Sequence, residues 1–231
     1  MNLEFQPFAP DVVQIGGEIR RRMDLTAEKI LHHLDVENVF VRHFRHRSET
    51  PEVPGGFTGY GMFLDAVVKA AIHRIGGDEM NRFKTERLAE LIATQSPDGA
   101  ITVFSGVPGY WDNHDQAYMI QAFVQDHRYC GNENALQAAL KLGNFLVNRG
   151  TAVTLGLETA FLMLSEESGD SRFSDYCRDV FKLDQSINAY DRMTPVNGVA
   201  HVYTWIARCL AQLQYMKLTG NDTALLREGT Q

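Results

Sequence analysis

The chain has 231 residues, of which 44% are hydrophobic, 22% are charged and 10% are aromatic. This composition excludes a disordered or fibrous protein and indicates one globular domain over residues 1–231. Its 22 Lys and Arg residues and 29 Asp and Glu residues give a net charge of −7, which argues against a nucleic-acid partner, because phosphate binding needs a basic face. No hydrophobic run reaches the roughly 18 residues that a membrane span requires, so we expect no membrane partner either.

Helical periodicity runs through most of the chain, with apolar residues three or four positions apart. It predicts helices over 17–34, 59–75, 79–95, 113–129, 133–148, 153–168, 172–184 and 199–218. The one segment with an extended pattern is 39–44 (VFVRHF), and no segment alternates clearly enough for a regular β-strand. The predicted fold class is therefore all-α.

A repeated dipeptide separates several of these helices. Gly followed by Asp or Asn stands between helical stretches at Gly77-Asp78, Gly131-Asn132, Gly169-Asp170 and Gly220-Asn221. In such a pair the glycine ends one helix in a left-handed conformation, and the Asp or Asn caps the start of the next helix. Because the spacing is too irregular for a short solenoid repeat, it predicts helical hairpins with loops of unequal length.

Three long loops interrupt the helices, over 45–58, 96–112 and 185–198. Long ordered loops above helix ends are where function tends to lie. In the first loop, Gly55-Gly56-Phe57 together with Tyr60 could form a pocket wall, although Gly-Gly before a helix is also common turn chemistry.

Five side chains that suit a sugar site crowd the start of the helix predicted over 113–129. They are Trp111, Asp112, His114, Asp115 and Tyr118. Aromatic faces stack on sugar rings, and carboxylates and imidazole bind hydroxyl groups, so we interpret these residues as a candidate carbohydrate site. The alternative is an ordinary helix start, in which Asp112 is the N-cap, Asp115 favours the helix dipole and Trp111 packs as a hydrophobic staple.

Two other helix starts supply further candidates. His201 and Tyr203 (HVYTW) lie where a long helix begins after an irregular loop, and they would join the site if the helix starts meet in one pocket. A lone histidine near an apolar helix is otherwise a structural residue. Glu158 lies early in an apolar helix (GLETA), where a buried carboxylate would act as a general acid or would merely favour the helix dipole.

The cysteines and the first residues of the chain indicate whether it binds a metal ion and in which cellular compartment it lies. Cys130, Cys177 and Cys209 are odd in number and far apart, so they form neither a disulfide framework nor a recognisable zinc ligand set. The first residues (MNLEFQPFAP) lack the basic and apolar regions of a signal peptide. We therefore expect a cytoplasmic protein without a metal ligand set of its own.

The chain also resembles a known family. The runs GGFTGYGMFLDAVVKAAIHRIGGDE, LAELIATQSPDGAI, YWDNHDQAYMIQAFVQDHRYCGNENALQAALKLGNFLV and NGVAHVYTWIARCLAQLQYMKLTGNDTALL are similar to the N-terminal part of the beta-L-arabinofuranosidase family, glycoside hydrolase family 127 and its relatives. The resemblance implies an (α/α)6 toroid of helical hairpins, incomplete in this chain, with a sugar site where loops gather at one end. The resemblance also implies that Trp111, His114 and His201 face the substrate.

The family's catalytic chemistry does not map onto this chain. In the family, a cysteine nucleophile held near zinc by other cysteines and a glutamate lies downstream of the helix that matches HVYTW, and none of the three cysteines here matches it. The resemblance therefore implies that this chain is the N-terminal portion of a larger catalytic domain. It implies zinc as a cofactor only if such a downstream part exists.

The expected function is that of a glycoside hydrolase-like protein of the arabinofuranosidase type, acting on a plant-type or bacterial carbohydrate. Glu158 would be the general acid and Asp115 the ionised carboxylate, and the other candidates would bind the sugar. The alternatives are a non-catalytic carbohydrate-binding module and another toroid enzyme, such as a polysaccharide lyase, an unsaturated uronyl hydrolase or a sugar epimerase. We also expect a homo-oligomer, because an incomplete toroid exposes apolar edges.

Overall fold

The computed structural model describes residues 10–109, 111–151, 156–185 and 202–220. Within these ranges the chain forms α-helices and no β-strand, which confirms the all-α prediction. The helices are α1 (Gly17–Lys29), α2 (Arg42–Arg45), α3 (Tyr60–Ile72), α4 (Gly77–Ile92), α5 (Asp112–Cys130), α6 (Glu133–Asn148), α7 (Leu157–Ser168), α8 (Ser171–Asp179) and α9 (Val202–Thr219). Short 3₁₀ turns occupy Pro10–Val12, Leu31–His33 and Pro54–Gly56, and one π-helical turn occupies Glu37–Val41.

The helices form an arc of two layers. Helices α3, α5, α7 and α9 pack side by side in chain order as the inner layer, and α4, α6 and α8 pack against them from outside. Each inner helix is joined to the following outer helix by a short turn, so the two run antiparallel. The inner helices are therefore parallel, and their N-terminal ends gather at one end of the arc. This is the geometry of a helical toroid.

Helix α5 lies at the centre of the arc, between α3, α6 and α7, and is buried on most of its surface. Its close approach to α3 depends on Gly61, where a Cβ atom would lie 2.2 Å from the backbone oxygen of Asp115. Gly143 has the same function between α6, α7 and α8, because a Cβ there would lie 2.7 Å from side-chain atoms of Leu164 and Phe173. Both positions need glycine for reasons of packing.

The predicted turn at Gly131-Asn132 forms as expected. Gly131 ends α5 with a φ of 69°, and the Asn132 side chain accepts a hydrogen bond from the backbone N–H of Ala135. The turn at Gly169-Asp170 is built in the same way, with Gly169 at a φ of 71° and Asp170 as the cap of α8.

The other two dipeptides differ from these turns. At the α3–α4 turn the cap is Gly76, with a φ of 71°, so Gly77 begins α4 and Asp78 lies in its first turn. The Asp24 carboxylate of α1 accepts a hydrogen bond from the Gly76 N–H at 3.0 Å, which supplies the capping acceptor from elsewhere in the chain. Gly220 ends α9 with a φ of 69°, and Asn221 lies outside the described residues.

The extended segment predicted over 39–44 is wrong. The π-helical turn and α2 occupy it, because a helical spacing places both Val41 and Phe44 in the core. The Phe40 ring also stacks on Tyr60 and Phe63 of α3, with ring centroids 5.2 Å apart in each pair. Packing against α3 therefore outweighs the β-propensity of the valines and phenylalanines.

The first two long loops are joined to each other at the end of the arc where the inner helices begin. The Ser48 N–H donates to the Val103 carbonyl at 3.1 Å, and the Ser105 N–H donates to the Ser48 carbonyl at 3.1 Å. This short parallel bridge is the one extended pairing within the described ranges. None of the described helices is both long enough and apolar enough to cross a membrane.

Candidate functional site

The candidate site lies at the end of the arc where α3, α5 and α7 begin. Contacts between their first turns show that these helix starts are neighbours. Asp115 of α5 bonds to the start of α3, and a Cβ at Gly156, which precedes α7, would lie 3.9 Å from the Cβ of Ala117. The predicted residues on these first turns therefore belong to one region.

An aromatic cluster of four rings covers the start of α5, and we define it as Phe57, Trp111, His114 and Tyr118. His114 lies at its centre, with ring centroids 5.5 Å from Phe57, 6.0 Å from Trp111 and 5.3 Å from Tyr118. All four rings are partly exposed. A half-exposed aromatic surface with an imidazole at its centre can stack on a sugar ring and bind a hydroxyl group.

The loop before α3 supports the cluster. Gly55 passes directly beneath the indole, since a Cβ atom there would lie 2.6 Å from Cδ1 of Trp111. Phe57, which the sequence suggested as part of a pocket wall, belongs to the cluster. Tyr60, suggested with it, does not, because its ring is fully buried and its hydroxyl donates to the Arg87 carbonyl at 3.1 Å.

Asp115 anchors the start of α3. Its carboxylate accepts hydrogen bonds from the backbone N–H groups of Thr58 at 3.2 Å, Gly59 at 3.2 Å and Gly61 at 2.7 Å, and from the Thr58 hydroxyl. The residue is only 1% exposed. Burial raises the pKa of the Asp115 carboxyl, and the hydrogen bonds from Thr58 and Gly61 oppose that rise. This geometry is that of a helix cap supplied from a neighbouring helix.

Asp112 is a second buried carboxyl, on the other side of the same turn. It accepts hydrogen bonds from the Thr102 hydroxyl at 2.9 Å and from the Gln116 amide at 3.1 Å. Burial raises the pKa of Asp112 to about 7, and the Thr102 hydroxyl and the Arg149 guanidinium oppose the rise. A carboxyl with this pKa can exchange a proton near neutral pH, which is the property required of a general acid.

Arg149, which follows α6, connects that helix to the start of α5. It donates to the Asn113 side chain through Nη2 and to the Thr151 hydroxyl through Nε at 3.1 Å. Nothing in the sequence alone singles out Arg149 or Thr102 as part of this region. Thr102 comes from a loop and Arg149 from the end of another helix, so only the tertiary structure brings them to α5.

Glu158 lies in the first turn of α7 and is 5% exposed. Its Oε1 atom lies 3.8 Å from Nη1 of Arg208 on α9, which is also buried. The two side chains form a buried ion pair that joins the first turn of α7 to α9. That pairing suits a hydrogen-bond acceptor or an electrostatic role better than a general acid, so the role predicted for Glu158 stays a prediction.

The remaining predicted positions lie outside what the structure describes. His201 is not among the described residues, and Tyr203 belongs to α9 but its side chain is not described. The structure therefore brings together Trp111, Asp112, His114, Asp115 and Tyr118 around one helix start, and places Glu158 at the start of the adjacent inner helix.

The described residues do not fit a zinc centre with a cysteine nucleophile. No group of three or more His, Cys, Asp or Glu side chains in the described ranges could hold a metal ion. Cys177 is buried, its thiol faces the Glu158 backbone carbonyl at 3.7 Å, and burial raises its pKa well above the ordinary value. Cys130 and Cys209 lie on other helices and are unpaired. No catalytic step is therefore assigned to these cysteines.

Comparison with known proteins relates the chain to a glycosidase fold. No protein-family model and no curated protein matches the sequence. Among solved structures, the chain is similar to a GH127 beta-arabinofuranosidase, with a TM-score of 0.68 and 17% sequence identity over 93% of this chain. The match spans 41% of the length of that enzyme. At this identity the likeness shows the fold, which is an all-α, toroid-like array of helices.

Proposed function

We propose that this chain acts on carbohydrate as a glycoside hydrolase-like protein of the arabinofuranosidase type. The aromatic cluster carries the proposal, because it presents half-exposed rings at the end of a toroid-like arc where the inner helices begin. The similarity in fold to a GH127 beta-arabinofuranosidase supports the same proposal. The sugar ring would stack on Trp111 and Tyr118, and His114 would bind a hydroxyl group.

Hydrolysis of a glycosidic bond generally needs one protonated and one ionised carboxyl group. Asp112 has the pKa that suits the acid, and Glu158 has the cationic partner that suits the ionised group. Asp115, predicted as the ionised catalytic carboxylate, is engaged in holding α3. In this proposal Asp112 and Glu158 are the two carboxyls that act on the substrate.

Sugar binding tests the proposal directly. Isothermal titration with an arabinofuranose-containing disaccharide should give a measurable affinity that Trp111→Ala weakens about tenfold, because one stacking aromatic contributes about 1.5 kcal/mol. Tyr129→Ala is the matched control, since Tyr129 is an exposed aromatic residue at the far end of α5. Equal loss in both variants, or no binding by the unaltered chain, would refute a sugar site at the aromatic cluster.

One observation favours a second function, a non-catalytic carbohydrate-binding module. Asp112, Asp115 and Glu158 are all buried and hydrogen-bonded or ion-paired, so none presents an open carboxylate. The two functions differ in turnover. Release of arabinose from an aryl arabinofuranoside, lost in Asp112→Asn and in Glu158→Gln, would support the hydrolase. Binding without any release would support the module.

A further inference from the structure

A concave region lies beside the aromatic cluster and contains none of its four residues. It is a cleft of about 490 Å³ between the loop 98–108, Arg47 and the end of α6. Its volume falls within the range of roughly 300–1,000 Å³ found for small-molecule sites. The two sites flank the turn Pro54–Gly56, because Trp111 packs on Gly55, and Phe104 of the cleft packs on Gly56. One extended ligand could therefore reach both.

Two arginines give the cleft its charge. Arg47 uses Nε and Nη2 to bind the backbone carbonyls of Phe44, Thr94 and Ala100, and its Nη1 makes no hydrogen bond within the described part of the chain. Arg47 is held in place by three carbonyls and presents no side-chain ion pair among the described residues. It is therefore a preorganised cation in the cleft wall.

Arg149 is the second cation. Its Nη2 and Nε atoms bind Asn113 and Thr151, whereas its Nη1 is buried and has no hydrogen-bond acceptor among the described residues. A buried guanidinium N–H without an acceptor costs free energy, and a ligand oxygen that reached it would remove this cost. The exposed segment 105–107 borders the cleft.

The rest of the lining is mainly apolar, with one acidic group. The Asp98 carboxylate accepts hydrogen bonds from the Ser96 hydroxyl and the Ala100 N–H, which lower its pKa. The Arg47 guanidinium also lowers the pKa of Asp98, so the charged side chains of the lining are two guanidinium groups and one carboxylate. Phe104 and Phe145 supply aromatic walls, and the Arg149 guanidinium lies 5.3 Å from the centroid of the Phe145 ring.

We propose that this cleft binds the carboxylate of an acidic sugar of the uronic acid class. The Nη1 atoms of Arg47 and Arg149 are the donors left for a ligand, a carboxylate is an acceptor of matching charge, and the aromatic walls suit the body of a sugar ring. The carboxylate part of this assignment rests on the cleft alone, and the sugar part rests on the proposed function. A substrate that carries a neutral sugar next to a uronic acid would occupy the aromatic cluster and the cleft together.

Charge changes at Val107 test the assignment without disturbing the core, because Val107 lines the cleft and is 90% exposed. We expect titration at low salt to show that glucuronate binds more tightly than glucose. Val107→Glu should weaken glucuronate binding by about twofold, Val107→Lys should strengthen it by about twofold, and Val107→Gln should leave it unchanged. Equal affinity for glucuronate in the Glu and Lys variants would overturn the proposal.

Arg149→Gln should reduce glucuronate affinity by about tenfold or more, since it removes a charged donor. A thermal melt of this variant shows whether the loss of affinity comes from unfolding. If the variant is unfolded, the three Val107 variants test the carboxylate assignment in its place. Tyr129→Ala should leave glucuronate binding unchanged, because Tyr129 lies at the far end of α5. If neutral-sugar binding depends on Trp111 but glucuronate does not bind, the carboxylate assignment fails and the proposed function stands. If acetate or inorganic phosphate binds as tightly as glucuronate, the assignment to an acidic sugar is overturned.

Discussion

At the scale of single residues, the start of α5 separates two carboxyls by their surroundings. Asp112 and Asp115 lie on one helical turn and both are 1% exposed. Asp115 meets three backbone N–H donors and a hydroxyl, whereas Asp112 meets the Thr102 hydroxyl, the Gln116 amide and the Val103 backbone. Residues three positions apart therefore serve different purposes, one as an anchor for α3 and the other as a group that titrates near neutral pH.

Replacing Asp115 should destabilise the fold strongly. Asp115→Ala removes four acceptor contacts and leaves buried N–H groups at the start of α3 without partners, so we expect a loss of about 3 kcal/mol or more in the free energy of unfolding. Urea denaturation at neutral pH measures it. Asp179→Ala is the control, because Asp179 is an exposed aspartate that pairs with Arg178 at the surface. A loss no larger than that of the control would contradict the anchoring role.

Asp112 should make stability depend on pH in a defined window. Its pKa is raised from 3.8 to about 7 in the folded protein, so between these values the unfolded chain ionises while the folded protein keeps the proton. Its contribution to stability is therefore greatest below about pH 4 and falls as the pH rises to about 7, by about 4 kcal/mol in all. The measurement is urea denaturation of the unaltered chain and of Asp112→Asn from pH 4 to pH 8.

In the Asn variant this component of the pH dependence should be absent, since the amide does not titrate. Identical pH profiles for the two proteins would show that Asp112 has an ordinary pKa. The variant also separates the proton from the shape of the side chain, because asparagine keeps one acceptor oxygen for the Thr102 hydroxyl.

At the scale of elements, the contact between α3 and α5 holds the site together. Gly61 lets the two inner helices approach closely, and the same turn of α3 donates to Asp115. Gly61→Ala should force the helices apart and cost about 3 kcal/mol, because the added carbon would meet a backbone atom that cannot rotate away. It should also weaken sugar binding, since α3 begins three residues after Phe57.

Gly106→Ala is the matched control for that change. Gly106 does not have a positive φ, and a Cβ there would meet nothing within 4 Å, so its effect should stay within about 0.5 kcal/mol. Chemical denaturation of both variants compares them directly. A Gly61→Ala protein as stable as the control would show that the two helices can move apart at little cost.

The elements show which parts of the fold the sequence could predict. Local chemistry determined the turns at Gly131-Asn132 and Gly169-Asp170, and both were predicted. The segment 39–44 was wrong because its conformation depends on packing of Phe40 against α3, which is distant in the sequence. The capping of α4 shifted by one residue for the same reason, since its acceptor comes from Asp24 on α1.

The candidate site likewise has a part that the sequence predicts and a part that it does not. Trp111, His114 and Tyr118 were predicted together, because a helical spacing of three and four positions places them on one face. The hydrogen-bond partners of Asp115 come from residues more than 50 positions earlier, so its anchoring role was not visible in the sequence. The cleft with Arg47 and Arg149 was missed for the same reason, as its walls come from three separate segments.

At the scale of the whole molecule, the arc explains both the site and the exposed edge. Parallel inner helices bring their first turns to one end, which places the aromatic cluster and the cleft on either side of one turn. At the end of the arc, α9 exposes Ile206, Leu210 and Leu213, which are spaced four and three residues apart along one face of the helix. The expected homo-oligomer stays a prediction, and sedimentation velocity at several protein concentrations measures it.

A crystal structure of the chain with an arabinofuranose-containing disaccharide would show whether the aromatic cluster binds a sugar ring. We expect a sugar ring against Trp111 and Tyr118, with a hydroxyl group within hydrogen-bond distance of His114. A disaccharide bound at another surface, with the four rings of the cluster uncovered, would contradict it.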